Sequence, residues 1–300
     1  MNLLQKFLQV FTKSKNSTHA ADPSQTAPLT EEQMGAIIAV PKFNPAQLLV
    51  GTAQSTGLQR DHNEDSLFAF SSVLAEGKNA LPFGVFIVAD GMGGHQYGEI
   101  ASGIATRIMS SHILSSLYLP YLSPGGSQNI ESLQELMEKG MREAQLEVRR
   151  HAPGGGTTMT ALIVMGEQVA YAHVGDSRAY FIYPDGRMNA ITQDHSLVRR
   201  LVELGQITEE EATNHPNKNV LYRALGQTDP IIPDMGTCQI PHPGKILICS
   251  DGLWGVLPES IILDTVLKAE NPSIACHELV EAANIAGGPD NISVILIQYL

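Results

Sequence analysis

The chain has 300 residues, enough to bury one sizeable core, and its composition gives no sign of a second folded domain. A formal charge of −12 without a long basic run argues against nucleic acid as a partner, because phosphate backbones require clustered Lys and Arg. Three cysteines without CxxC spacing suggest neither a disulfide framework nor a thiolate zinc site, so we expect a cytoplasmic protein.

Residues 1–45 are predicted to form an extension that precedes a domain at 46–300. Near the start, the apolar side chains that fall on one helical face are Leu3, Leu4, Phe7, Leu8 and Phe11. With the polar stretch that follows, they predict a short amphipathic helix on a flexible tether. The helix could contact an anionic membrane surface, but docking on a protein is favoured because the helix is short. No apolar stretch reaches the roughly 20 residues of a membrane span, and we expect no export.

From Leu48 onward, short apolar runs predict buried strands. These runs are Leu48–Gln54, Gly84–Ala89, Thr157–Met165, Val169–Val174, Arg178–Tyr183, Lys245–Cys249 and Ile292–Tyr299. Apolar residues at helical spacing predict two helices, one around Ile100–Ile108 and one around Leu133–Val148. Consecutive strands without a helix between them favour antiparallel pairing, so the pattern predicts sheets covered by layers of helices.

Four aspartates lie at the ends of predicted strands. Asp90, Asp176 and Asp251 each follow an apolar run, whereas Asp290 comes just before the last strand. In an antiparallel sheet one strand starts where its neighbour ends, so the four carboxylates can share one edge. Any one of them alone is better interpreted as a turn residue, since Asp-Gly is a common turn dipeptide. Together they predict a site for Mg²⁺ or Mn²⁺, which prefer oxygen ligands.

Two such ions could share a water molecule, lower its pKa and promote displacement at phosphorus. Other chemistries lack their motifs. No cysteine is followed six residues later by the arginine of a cysteine phosphatase loop, and neither a Walker loop, a complete GxGxxG nor a GxSxG elbow occurs. Phosphoester hydrolysis without a covalent intermediate is therefore the favoured hypothesis.

Eight segments, taken in order, resemble the motifs of the type 2C metal-dependent protein phosphatases. The segments are Gly57–Asp65, Val88–His95, Gly155–Thr158, His173–Tyr180, Thr192–Ser196, Leu221–Gly226, Leu247–Trp254 and Gly288–Asn291. The resemblance extends over about Leu48–Leu300. It implies an α+β fold, namely an α-β-β-α sandwich of two antiparallel sheets flanked by helices, with metals in a cleft at one edge. Met92 stands where animal members carry His, so the chain is similar to the bacterial members.

The resemblance also implies roles for single residues. Asp90, Asp251 and Asp290 would bind two Mn²⁺ or Mg²⁺ ions directly, together with the carbonyl of Gly91. Asp176 would help Asp251 to hold a third, weaker ion. The remaining residues with implied roles are Glu64 and Asp65, which would act through bound waters, and Arg60, which would grip the substrate phosphate.

Arg60, Asp65 and Asp90 are thus the expected catalytic residues. The alternative for Arg60 is a surface ion pair with Asp61 or Glu64. His95 is not assigned as the general acid, because a role in capping or packing the following helix is favoured. The charged stretch Val198–Asn219, with a helix start at Thr208, resembles the mobile flap of bacterial relatives.

The predicted function is metal-dependent hydrolysis of phosphoserine and phosphothreonine in proteins. The partners would be the phosphorylated substrates of a bacterial serine/threonine kinase, and the kinase itself, with the phosphatase acting as a monomer. Two alternatives stay open. A catalytically silent module that binds phosphoproteins is disfavoured because Asp90, Asp251 and Asp290 are all present. An enzyme acting on a small phosphorylated metabolite is compatible with the same motifs.

Overall fold

The computed structural model describes residues 46–76, 79–93, 96–123, 132–227 and 229–300. The predicted amphipathic helix at the start of the chain lies outside these ranges, so the extension at 1–45 stays a prediction. Within the described ranges, the strands form two five-stranded antiparallel sheets and a two-stranded ribbon. These two sheets carry the residues from which the candidate site is built.

The first sheet contains five strands, including the last strand of the chain. They are β1 (Leu48–Ser55), β8 (Arg178–Ile182), β9 (Met188–Ala190), β11 (Lys245–Cys249) and β12 (Ile292–Tyr299). Their order across the sheet is β1, β12, β11, β8, β9. The central strands β11 and β12 are apolar along almost their whole length because both of their faces are covered.

The second sheet contains the strands from the first half of the chain and one late edge strand. They are β2 (Ser66–Glu76), β3 (Asn79–Ala89), β6 (Met159–Met165), β7 (Gln168–Val174) and β10 (Asp234–Gln239). Their order is β10, β7, β6, β3, β2. Between β3 and β6 in sequence lie the two strands of the ribbon, β4 (Gly91–Met92) and β5 (Gly156–Thr157).

Helices cover the outer face of each sheet, and two further short helices lie in the segment between β9 and β10. The helices are α1 (Gln96–Ile113), α2 (Leu133–His151), α3 (Leu197–Glu203), α4 (Glu209–Thr213), α5 (Asp251–Trp254), α6 (Glu259–Lys268) and α7 (Pro272–Ile285). A π-helical segment, Leu114–Tyr118, and a short turn, Leu119–Tyr121, continue α1. Among the described residues, none of these helices has the length and apolar character that crossing a bilayer requires.

The apolar core has three layers, and the alternation of side chains along each strand produces them. In β3, Val85 and Ile87 pack beneath α1 and α2, whereas Phe86 and Val88 point between the sheets. In β12 the same alternation divides Leu296, which packs beneath α6 and α7, from Ile295, which faces the other sheet. The helix, sheet, sheet, helix order confirms the predicted α-β-β-α sandwich.

The predicted strands Lys245–Cys249 and Ile292–Tyr299 agree with the structure to the residue. The predicted run Thr157–Met165 is interrupted at Thr158, which belongs to neither β5 nor β6. Sequence analysis did not identify β2, because its outer residues are half-exposed and its serines weaken the apolar pattern. The two predicted helices are present and extend further, as α1 and α2.

Gly51 and Gly103 make a matched test of this packing. A Cβ at Gly51 in β1 would collide with the backbone of Pro272 and Ser273 in α7, whereas a Cβ at Gly103 in α1 meets only the flexible end of Arg107. We expect Gly51→Ala to reduce the free energy of unfolding by about 2 kcal/mol or more. Gly103→Ala should increase it by about 0.5 to 1 kcal/mol. Urea unfolding of both variants checks this, and equal effects would contradict the packing.

Candidate active site

Antiparallel pairing of β11 with β12 brings two of the predicted metal ligands to one edge. Asp251 follows β11 and begins α5, and Asp290 lies just before β12. Between them, the Ser250 amide donates to the carbonyl of Ser293, at 3.1 Å. A Cβ at Gly252 would collide with the carbonyl of Asn291, so glycine lets the two segments approach closely.

Asp90 is fixed by the break between β5 and β6. Its amide donates to Thr158 Oγ1 at 2.9 Å, and the Thr158 amide returns a 2.9 Å bond to the Asp90 carbonyl. The Thr157 hydroxyl donates to the same carbonyl at 2.9 Å. Gly91 pairs with Thr157 in the ribbon, and a Cβ there would collide with the carbonyls of Gly98 and Glu64. Thr158 therefore belongs to neither strand, and its side chain and amide bond to Asp90 instead.

Asp65 is buried against the ends of β11 and β12. Its Oδ2 accepts hydrogen bonds from the hydroxyls of Ser250, at 2.8 Å, and Ser293, at 2.7 Å. Its Oδ1 is buried without a hydrogen-bond partner among the described residues, and the same holds for Oδ1 of Asp251. A buried carboxylate oxygen without a donor is costly, and a bound cation would satisfy it.

Burial, with the charges of neighbouring carboxylates, raises the pKa of four carboxyl groups in the site, those of Asp65, Asp90, Asp176 and Asp251. Burial raises the pKa of Asp65 to about 7 and that of Asp251 to about 6, and the charge of Asp290 adds to both shifts. Burial, followed by the neighbouring carboxylates, also raises the pKa of Asp90 and Asp176 well above the usual range. Such a cluster must bind protons or cations to be stable.

These donors suit Mg²⁺ or Mn²⁺, which take carboxylate, carbonyl and water oxygens. In the part of the chain that the structure describes, no three His, Cys, Asp or Glu side chains already form a closed ligand set. Among the described residues, the two buried oxygens of Asp65 and Asp251 that have no hydrogen-bond partner are the specific observation that favours cations here.

Arg60 lies at the rim of this cleft, paired with a predicted metal ligand. Its Nη2 is 2.7 Å from Oδ2 of Asp290, and its side chain is 49% exposed. The ion pair is therefore with Asp290 and not with Asp61 or Glu64, the partners considered from sequence. Glu64 instead contacts His62, whose Nε2 is 3.2 Å from Oε1 of Glu64.

Asn291 organises the loop that carries Arg60 and Glu64. Its side-chain oxygen accepts from the Glu64 amide at 2.7 Å, and its side-chain nitrogen donates to the carbonyls of Thr56 and His62, at 2.8 and 3.0 Å. The Gly288–Asn291 motif includes this residue, but sequence analysis gave it no role. The same is true of Thr158, Ser250 and Ser293, which hold Asp90 and Asp65.

Asp176 lies in the turn between β7 and β8. Its carbonyl accepts a hydrogen bond from Nε1 of Trp254 at 3.0 Å. The cleft between these elements has a volume of about 440 Å³ and is lined by most of the predicted residues. That lining includes Arg60, Glu64, Asp90, Gly91, Asp176, Asp251 and Asp290. His95 lies outside the described residues.

The predicted flap borders the same cleft. It contains α3 and α4, and Thr208 caps α4 with a reciprocal pair of bonds to Glu211, as the sequence predicted. Asn219, at the end of the flap, lines both the main cleft and a neighbouring one of about 340 Å³ beneath α3 and α4. The flap is thus placed to contact whatever binds at the carboxylates.

Known proteins match this chain over most of its length. The family profile described as protein phosphatase 2C matches residues 59–282. The serine/threonine phosphatase stp of Listeria innocua is 36% identical over 248 residues, which are 81% of this chain and 92% of that protein.

Solved structures share the fold. The S. agalactiae serine/threonine phosphatase is 30% identical, with a TM-score of 0.71, and the match covers 84% of this chain and 99% of that one. The catalytic domain of the phosphatase PstP, solved in complex with two manganese ions, is also 30% identical, with a TM-score of 0.64 over 85% of this chain and 99% of that one.

The buried Asp65 carboxyl gives the cation-free protein a pH dependence. The pKa of Asp65 is about 7 in the folded chain, against an ordinary value of 3.8, so the folded state keeps this proton where the unfolded state releases it. Stability should therefore fall as the pH rises from about 4 to about 7. Asp65→Asn cannot lose this proton. Between about pH 5 and pH 7.5 the variant should lose about 2 kcal/mol less free energy of unfolding than the unmodified protein.

Urea unfolding in EDTA at both pH values measures this difference. Asp264→Asn, on an exposed face of α6, is the matched control and should follow the unmodified protein. If Asp65→Asn showed the same pH dependence as that control, the Asp65 carboxyl would not be the buried titrating group.

Proposed function

Because the chain belongs to the protein phosphatase 2C family and is a serine/threonine phosphatase, we propose that its cleft hydrolyses phosphoserine and phosphothreonine in proteins with the help of two divalent cations. The observation that carries the proposal is the convergence of buried carboxylates on one cleft. Two of their oxygens, on Asp65 and Asp251, are buried without a donor among the described residues. An arginine at the rim of the same cleft supplies the matching charge for a phosphate.

Asp90, Asp251 and Asp290, with the carbonyl of Gly91, would hold two Mn²⁺ or Mg²⁺ ions. Asp176 would join Asp251 in holding a third, weaker ion. When bound, the ions would supply a water of lowered pKa and would neutralise charge that develops on the phosphate. The manganese ions in the structure of the PstP catalytic domain support this choice of metal.

The chain's own residues would bind the substrate and control protons. Arg60 would grip two phosphate oxygens with its planar guanidinium, exchanging its bond to Asp290 for the bonds to substrate. Asp65, held by two serine hydroxyls, would orient the attacking water through its other oxygen and accept its proton. Glu64 would act through ordered water at the edge of the cleft.

The substrates would be proteins phosphorylated by a bacterial serine/threonine kinase, and the kinase itself. The relatives' names support this class of substrate, because they are serine/threonine phosphatases of bacteria. We place this activity in the cytoplasm and in a monomer.

Asp251 tests the role of the cations. A phosphothreonine peptide should be hydrolysed with Mn²⁺ and should not be hydrolysed with EDTA. Asp251→Asn removes a charged ligand from the centre of the cluster, so kcat/KM should fall by about 100-fold or more. Asp185→Asn, an exposed aspartate paired with Arg187, is the control and should keep full activity.

Metal-independent hydrolysis, or none at all in the unmodified protein, would contradict the proposal. Rates on small phosphorylated metabolites, measured in the same assay, would then decide whether the site serves a different phosphoester. Binding of the phosphopeptide without hydrolysis would identify the silent binding module instead.

Arg60 tests recognition of the phosphate. Arg60→Ala removes charge-assisted hydrogen bonds to the substrate, so kcat/KM should fall by about 10- to 100-fold. Arg60→Lys keeps the charge but not the planar fork and should recover only part of the loss. Steady-state kinetics on the phosphothreonine peptide measures both, with Arg187→Ala as an exposed control. Full activity of Arg60→Ala would show that its pair with Asp290 is only a surface contact.

A further inference from the structure

Trp254 is the only tryptophan of the sequence, and it ends the helical turn that Asp251 begins. Residues three apart on a helix lie on the same face, so the two side chains leave this turn in similar directions. Asp251 enters the carboxylate cluster, whereas the indole of Trp254 reaches the turn between β7 and β8. The short helix α5 therefore carries Asp251 and contacts the turn that carries Asp176.

The indole is held on two sides. Its Nε1–H donates to the carbonyl of Asp176 at 3.0 Å. The guanidinium of Arg178 lies over the ring, 3.5 Å from its centre. Arg178 is itself fixed by two bonds to Asp194, of 2.9 and 2.7 Å, and by a 3.1 Å bond to the hydroxyl of Tyr180. Trp254 therefore has a fixed position from which to hold Asp176.

The turn that carries Asp176 is held at several points. The Asp176 carboxyl is buried, with the carboxyl groups of Asp251 and Asp194 and the guanidinium of Arg178 around it. Gly175, with φ of +106°, gives the turn a conformation that few residues adopt. Before Asp176, Gly175 exchanges two bonds with His195, of 3.1 and 2.7 Å, and after it the carbonyl of Ser177 accepts from the Thr160 hydroxyl at 2.8 Å. The bond from Trp254 fixes it at Asp176 itself.

We propose that Trp254 is a positioning residue for the third divalent cation: its indole N–H fixes the backbone of Asp176 and so sets the separation of the Asp176 and Asp251 carboxylates. The proposal rests on the proposed function, in which these two carboxylates share an ion. Oδ1 of Asp251, which is buried without a partner among the described residues and already favours cations in the cleft, belongs to the carboxyl group that would share this ion.

Mn²⁺ binding in the absence of substrate tests the proposal. Electron paramagnetic resonance of free Mn²⁺ during a titration counts the bound ions and resolves their affinities. In the unmodified protein we expect a third, weakest class of ion, which Asp176→Asn should abolish. Trp254→Phe keeps a ring beneath Arg178 but removes the N–H, so it should weaken this class alone by about fivefold. The two tighter classes should keep their affinities.

Tyr180→Phe is the matched control. It removes the hydroxyl that contacts Arg178 and leaves the bond between Trp254 and Asp176 in place. All three classes of ion should keep their affinities in this variant. If Tyr180→Phe and Trp254→Phe weakened Mn²⁺ binding equally, the effect would come from packing around Arg178 and the proposal would be wrong.

A second replacement guards against poor folding of Trp254→Phe. Because the chain has a single tryptophan, growth with the benzothienyl isostere of tryptophan replaces the indole N–H by sulfur at position 254 alone. This protein keeps the shape of the side chain and should show the same selective weakening. Intrinsic fluorescence of the unmodified protein gives a further readout, because paramagnetic Mn²⁺ bound beside the indole should quench it in step with the weakest class.

The proposal is overturned if the unmodified protein binds no third ion, if the isostere binds the third ion as tightly as the unmodified protein does, or if all classes weaken together. These outcomes are independent of catalysis, since no substrate is present. Failure of the proposed function would appear separately, as unmodified protein that binds Mn²⁺ but does not hydrolyse the phosphothreonine peptide.

Discussion

Repulsion among buried carboxylates is the constraint on which the rest of the structure depends. Burial, together with the charges of neighbouring carboxylates, raises the pKa values of Asp65, Asp90, Asp176 and Asp251, and each charged side chain would be more stable in water. The fold prevents this by anchoring the backbone or the carboxyl of each residue. Burial of the apolar core supplies the free energy that keeps these carboxylates together. Bound cations would stabilise the folded state and offset part of the cost.

The anchors come from both sheets. Thr158, at the break between β5 and β6, holds the backbone of Asp90, while Ser250 and Ser293 hold the carboxyl of Asp65 from the first sheet. Asn291 joins the loop of Glu64 to the start of β12. Small polar side chains perform these tasks because they are short enough to leave the cleft open. The site is therefore a product of how the two sheets meet, and neither sheet alone contains it.

Sequence alone could predict the central strands and the positions of the aspartates, because these signals are local. Lys245–Cys249 and Ile292–Tyr299 are apolar on both faces, which only buried strands require. The edge strands β2 and β10 carry serines, glycine and exposed residues, and so they gave no comparable signal. The anchors could not be predicted, since Ser293 contacts Asp65 across 228 positions of sequence. The partner of Arg60 could likewise not be predicted, because Asp290 is distant in sequence and approaches Arg60 only in the folded chain.

The alternation of side chains in β3 also restricts how the sequence can drift over evolutionary time. One inserted residue in this strand would exchange Phe86 and Val88 with their neighbours, so that both core layers would be filled by the wrong side chains. The same insertion would shift Asp90 away from Thr158. The register of β3 thus determines both the packing of the two core layers and the position of Asp90. Changes in chain length are tolerable in the connections between elements, and lineages of this fold should differ there while their strands keep a constant length.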